Sequence, residues 1–198
     1  MRTLSIICCS VLRRELEAFA VRQYPDAELV YIDSMLHMHP EKLRLTIDAA
    51  LAVRPDRDCL LVYGDCHAHM HETGRRPHCT RTSAVNCGEL PLGRERYRSF
   101  RNQKVFLFLP EWTERWREVF IKELGFSDKS LAREFMQESQ RRLVYLDTGL
   151  IPVPENALEE IADYFGMPVD VLVAPLNELH QNVRLAAQHL QTRDAHGA

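Results

Sequence analysis

The sequence predicts an α/β fold, a three-layer sandwich with a mainly parallel sheet covered by helices on both faces. Three observations carry this. Short apolar runs alternate with amphipathic helical segments along the whole chain. Most of the apolar runs are continuous, as in strands buried on both faces. The joints between them fall at the spacing of βα units, which build parallel sheets. At 198 residues the chain has the size of one domain, and 1–198 is read as a single α/β domain.

The elements follow in order. "TLSIICC", from Thr3 to Cys9, is the first strand, and "SVLRRELEAFAVRQY" places Leu12, Leu16, Phe19 and Ala20 on one helical face. "AELVYID" is the second strand; in "HPEKLRLTIDAALAV" Pro40 sits near the first turn of a helix that turns Leu43, Ile47, Ala50 and Leu51 inward. "CLLVYGD" is the third strand, followed by an irregular segment from Cys66 to about Ser83. "TSAVNCG" reads as a short strand, "GRERYRSFRN" as a basic helix and "KVFLFLP" as a strand. "EWTERWREVFIKELG" is a helix closed by Gly125, and Ser127 is expected to cap "DKSLAREFMQESQRR". "LVYLDTG", "PENALEEIADYFG", "VDVLVAPL" and "NELHQNVRLAAQHLQ" complete the alternation as strand, helix, strand and helix.

Composition excludes several classes. A net charge of -3 gives no general electrostatic reason to expect nucleic acid. The opening "MRTLSIICCS" is too short and too soon charged for a secretory core, and no apolar run reaches the roughly 18 residues of a membrane span. The expected location is the cytoplasm, without membrane contact. There, six cysteines are read as thiols, metal ligands or core residues rather than a disulfide framework.

Ligands of open parallel sheets bind beyond the carboxyl ends of the strands. Cys9, Cys66 and Cys87 each follow an apolar run, and His37 in "SMLHMHP" emerges beyond the second strand on the same edge. Three thiols and an imidazole form a donor set that suits zinc or another thiophilic metal. Cys8 and Cys59 lie inside apolar runs and are read as core. His67, His69 and His71 alternate, so an extended backbone would put them on one side, and His67 joins the candidate ligands. Glu89 is a candidate base or oxygen ligand, with a solvated carboxylate as the default. Arg94, Arg98 and Arg101 share helical spacing that would present them to an anionic ligand, against the plainer reading of a solvated basic face. Trp112 and Trp116 read as packing residues, and no phosphate loop, dinucleotide fingerprint or nucleophile elbow is present.

"IICCSVLRREL", "SMLHMHPEKL", "LLVYGDC", "VNCGELPLG" and "VFLFLPEW", in this order, resemble a prokaryotic domain-of-unknown-function family (number one-six-three-eight) over most of the chain. The resemblance implies functional positions at Cys9, His37, Cys66 and Cys87, the same set that the strand ends select. This chain departs from the pattern at Ser10 and His67, where glycine is frequent, at Asn86, where aspartate is, and at Glu111, where glycine precedes the tryptophan. The family looks like a companion of corrinoid methyltransferase or metallocofactor systems, which implies metal or cofactor handling and partner proteins of that kind.

Three functional expectations result. The first is a thiolate-rich centre of zinc, with iron or an iron-sulfur cluster as the variant, held by Cys9, Cys66 and Cys87 with His37 or His67. The second is a metal-free cysteine enzyme with Cys9 or Cys66 as nucleophile and His37 or His67 as base. The third is a module that binds a small anionic molecule through Arg94, Arg98 and Arg101.

Overall fold

The computed structural model describes residues 2–196. Strands and helices alternate as β1 (Thr3–Cys9), α1 (Arg13–Gln23), β2 (Glu28–Ile32), α2 (Pro40–Ala52), β3 (Arg57–Val62), α3 (Met70–Thr73), β4 (Cys79–Arg81) and α4 (Glu89–Leu92). They continue as α5 (Arg94–Asn102), β5 (Val105–Phe108), α6 (Pro110–Glu114), α7 (Lys129–Ser139), β6 (Arg142–Asp147), α8 (Glu155–Phe165), β7 (Val169–Val173) and α9 (Asn177–His196). Short 3-10 turns at Ser10–Leu12 and Ser34–Met38 and a π-helical stretch at Arg117–Glu123 complete the list of elements. Among the described residues no helix is long and apolar enough to cross a membrane.

The α/β class holds, and the strands pair in parallel throughout. They form two sheets, of order β2-β1-β3-β4 and β5-β6-β7. The chain divides accordingly into two compact units, Met1–Pro91 with Leu176–Ala198, and Leu92–Pro175.

In the first unit Ile6, Ile7, Cys8 and Cys9 of β1 and Leu60, Leu61 and Val62 of β3 are consecutive and buried. Successive strand residues point to opposite faces, so both faces of this sheet are covered. Cys8 and Cys59 are core residues, as expected. At the amino edge of the sheet Arg54 holds Glu28 in a fork, Nη2 to Oε1 at 2.6 Å and Nε to Oε2 at 2.8 Å, while the Ser5 hydroxyl donates to the same carboxylate at 3.0 Å. Chiefly through the Arg54 bond, the Glu28 carboxyl is lowered from 4.5 to about 2.

A group with a depressed folded-state pKa stabilises fully above its unfolded value and loses that contribution as pH falls through the folded one. Glu28→Gln is therefore expected to be less stable than the parent above about pH 4.5, with the gap closing toward pH 2. The Glu28 side chain is 37% exposed, so solvent screening holds the gap to about 1 kcal/mol. Urea unfolding of both chains at pH 7, 4 and 2.5 checks it; a pH-independent gap would remove the ion pair as its cause.

In the second unit Leu143, Val144, Tyr145 and Leu146 make β6 the buried centre, and Phe106, Phe108, Phe120 and Phe165 pack ring on ring around it. β7 is the exposed edge, with Val173 at 67% exposure. Three places differ from the sequence reading. The segment read as one helix, "EWTERWREVFIKELG", ends its α-helical part at Glu114 and continues as the π-helical stretch Arg117–Glu123. Asp128, not Ser127, caps α7, because its carboxylate accepts from the amides of Ser130 and Leu131. The strand expected at "TSAVNCG" lies earlier, at Cys79–Arg81, inside the segment read as irregular; that segment also coils into α3.

Candidate thiol cluster and adjoining cavity

The order β2-β1-β3-β4 sends the chain from β1 outward to β2 and then back across β1 to β3. The carboxyl ends of β1 and β3 therefore flank a topological switch point, where open parallel sheets form a crevice. Cys8 of β1 is level with Val62 of β3, so Cys9 and the loop carrying Cys66 leave the sheet side by side.

Cys87 comes to them on the loop after β4. The Cys9 thiol is in hydrogen-bonding contact with Cys87, Cys87 with Cys66, and Cys66 with the His37 imidazole. Cys9 and Cys66 are buried, Cys87 is partly exposed, and His37 forms the solvent-exposed end. The four residues that the strand ends select are thus contiguous.

Backbone geometry holds these loops together. The Asp65 amide donates to the Val85 carbonyl at 3.0 Å, and the Thr82 hydroxyl bridges the Tyr63 amide and carbonyl at 3.2 and 2.9 Å. Gly64 runs against Asn86 so closely that a Cβ on it would lie 2.2 Å from the Asn86 Cα. Its amide donates to the Cys87 sulfur. The Ser34 amide donates to the Ser10 hydroxyl at 2.8 Å, tying the turn that carries His37 to the residue after Cys9.

Electrostatics follow from the contacts. The bond to Cys87, together with burial, pushes the Cys66 thiol up against the lowering effect of His37. At Cys87 the bond to Cys66 lowers the thiol, but contact with Cys9 and burial outweigh it and the net shift is upward. His37 is raised by its bond to Cys66. Among the described residues no group of three or more His, Cys, Asp or Glu side chains surrounds a point where a metal ion could sit. The thiol contacts run in series, not around one centre.

The other candidates lie elsewhere. His67 does not alternate outward with His69 and His71, because the chain turns at 67–69 and enters α3; His67 is buried, and the other two are exposed. Its charged neighbours are Asp48, His69, Arg44 and Arg76, and burial holds its imidazole below the ordinary value. Glu89 is 3% exposed, which overturns the solvated default: its carboxylate accepts from the Val85 amide at 3.0 Å and shapes the Cys87 loop. Arg94, Arg98 and Arg101 stand exposed on α5, in the second unit.

Beside Cys66 opens a cavity of about 470 Å³, whose walls include Pro40, Asp65, Cys66, His67, His71 and Arg81. Arg81 and Asp65 escaped the sequence reading. Arg81 lies at the end of a three-residue strand with no periodic pattern, and Asp65 looked like the last residue of a strand signal.

A family model described as a protein of unknown function, DUF1638, matches residues 31–183. The chain belongs to this family. The matched span contains His37, Cys66 and Cys87, while Cys9 lies before it. No curated protein and no solved structure matches the chain.

Proposed function

We propose that this DUF1638 member binds one thiophilic cation, zinc foremost and iron next, through Cys9, Cys66 and Cys87, with His37 as fourth ligand. The observation that carries the reading is the unbroken contact of these four side chains, delivered by four separate loops to the switch point of one sheet. A tetrahedral site with metal-sulfur bonds of about 2.3 Å has edges of about 3.8 Å, which is the length of a thiol-thiol contact. Binding then asks the series of contacts to close around a centre, not to cross the molecule. Loss of thiol protons accompanies ligation, so affinity rises with pH. A reducing cytoplasm would keep the thiols available, and a centre with an exposed imidazole ligand suits a protein that hands a metal or metallocofactor to a partner, such as a corrinoid methyltransferase system.

The test is elemental analysis of protein purified without a histidine tag. Near one metal per chain is expected, lost in Cys66→Ser while the fold, followed by circular dichroism, is kept. No metal after both aerobic and anaerobic purification would reject the reading. A metal-free cysteine enzyme is then favoured by a specific observation: Cys66 pairs with His37 and also faces the cavity, as a nucleophile with its base would.

A further inference from the structure

Two residues that line the cavity beside Cys66, Arg81 and His67, each carry a buried hydrogen-bond donor without an acceptor in the chain. The Nη1 of Arg81 and the Nε2 of His67 are both buried and unpartnered. The tautomer of His67 follows from its other nitrogen: Nδ1 accepts from the His69 amide at 3.2 Å, so in the neutral ring Nε2 carries the proton. His67 is 7% exposed. Buried donors are nearly always satisfied, and unsatisfied ones on residues that line a cavity suit an acceptor from outside the chain.

Arg81 is built in rather than draped over the surface. Its side chain is 16% exposed, and its stem packs on Gly74, where a Cβ would come within 2.9 Å of the Arg81 Cγ. Its other terminal nitrogen, Nη2, binds the Asp65 carboxylate at 2.7 Å. Asp65 is 51% exposed, so it can swing to water when a second carboxylate takes its place. With Asp65 swung away, the single positive charge of the guanidinium matches a singly charged carboxylate better than a doubly charged phosphate.

We infer that this cavity is a binding site for a small organic carboxylate, held by Arg81 and His67 with its neighbouring carbon against the Cys66 thiol. The inference does not depend on the metal. It assigns to Arg81 and His67 a ligand, and to the cavity an orientation in which the ligand's reactive end meets the thiol cluster.

Iodoacetate is a carboxylate whose reactive carbon sits next to the anchoring group, and iodoacetamide is its neutral twin. In the labelling step a carbon-sulfur bond forms at Cys66, the carbon-iodine bond breaks, iodide leaves and the thiol proton goes to water. Free thiols react faster with the amide. Here the acid is expected to label Cys66 about tenfold faster than the amide, with saturation and with protection by propionate, and Arg81→Gln to abolish the preference. In parallel, the His67 ring proton resonance is expected to move saturably with propionate and not with propionamide. The metal content of Arg81→Gln should equal that of the parent, which separates this site from the cation site. Equal labelling rates, or the absence of Cys66 labelling combined with a silent His67 resonance, would overturn the inference. If a bound cation shields Cys66, the His67 response alone decides, in either direction.

Discussion

Gly64→Ala is expected to cost about 3 kcal/mol or more of unfolding free energy and to separate the thiols. A Cβ at this position would lie 2.2, 2.4 and 2.7 Å from the Cα, N and C atoms of Asn86. These are backbone atoms of a loop pinned by the Asp65 amide on Val85 and by Val85 on Glu89, so no rotamer change relieves the overlap. Overpacking a well-packed site commonly costs about 1–3 kcal/mol, and a clash with fixed backbone falls at or beyond the upper end. The loop after β4 must then retreat, and Cys87 retreats with it. Gly74→Ala supplies the comparison. Its Cβ would meet only the flexible Arg81 side chain, at 2.9 Å or more, so it is expected to lose far less stability while disturbing the cavity. Urea unfolding of the three proteins measures the difference; equal losses would show that the Gly64 approach is not rigid.

Cys87 and Cys66 are the two inner members of the series, and under the proposed ligand set removal of either has the largest expected effect on metal binding. Cys87→Ser breaks contact with Cys9 on one side and Cys66 on the other, just as Cys66→Ser breaks contact with Cys87 and His37. In the proposed site, deleting one of the four ligands should weaken zinc by at least about a hundredfold, since even outer partners of ligands are worth about 10–100-fold. Cys8→Ala is the control, because Cys8 is fully buried next to Cys9 and its thiol donates to the Cys9 carbonyl at 3.2 Å. It should lose stability and keep its metal. Competition with a chromophoric zinc chelator measures both affinities. Unchanged affinity in folded Cys87→Ser would take Cys87 out of the site.

The contact of these four side chains was legible because they sit at positions that a pattern marks. Cys9, Cys66 and Cys87 follow apolar runs, and in a parallel sheet such runs end on one edge, so separation in sequence becomes proximity in space. His37 was legible for the same reason. His67 was misplaced because alternation in sequence puts side chains on one side only if the backbone is extended, and here it turns into α3. Glu89 looked like an ordinary surface carboxylate, since nothing local reveals that the Val85 amide needs an acceptor.

The sequence alone determined the α/β class, nearly all of the strands and helices, and the identity of the four contiguous residues. Those properties depend on local periodicity and on the edge to which strands deliver their loops. Tertiary structure alone decided that the strands form two sheets, that the thiols touch in series, and that Arg81 and His67 share a cavity with Cys66. These depend on which strands pair and on how closely loops approach, as at Gly64 and Asn86, and such distances are set by the packing of residues far apart in the chain.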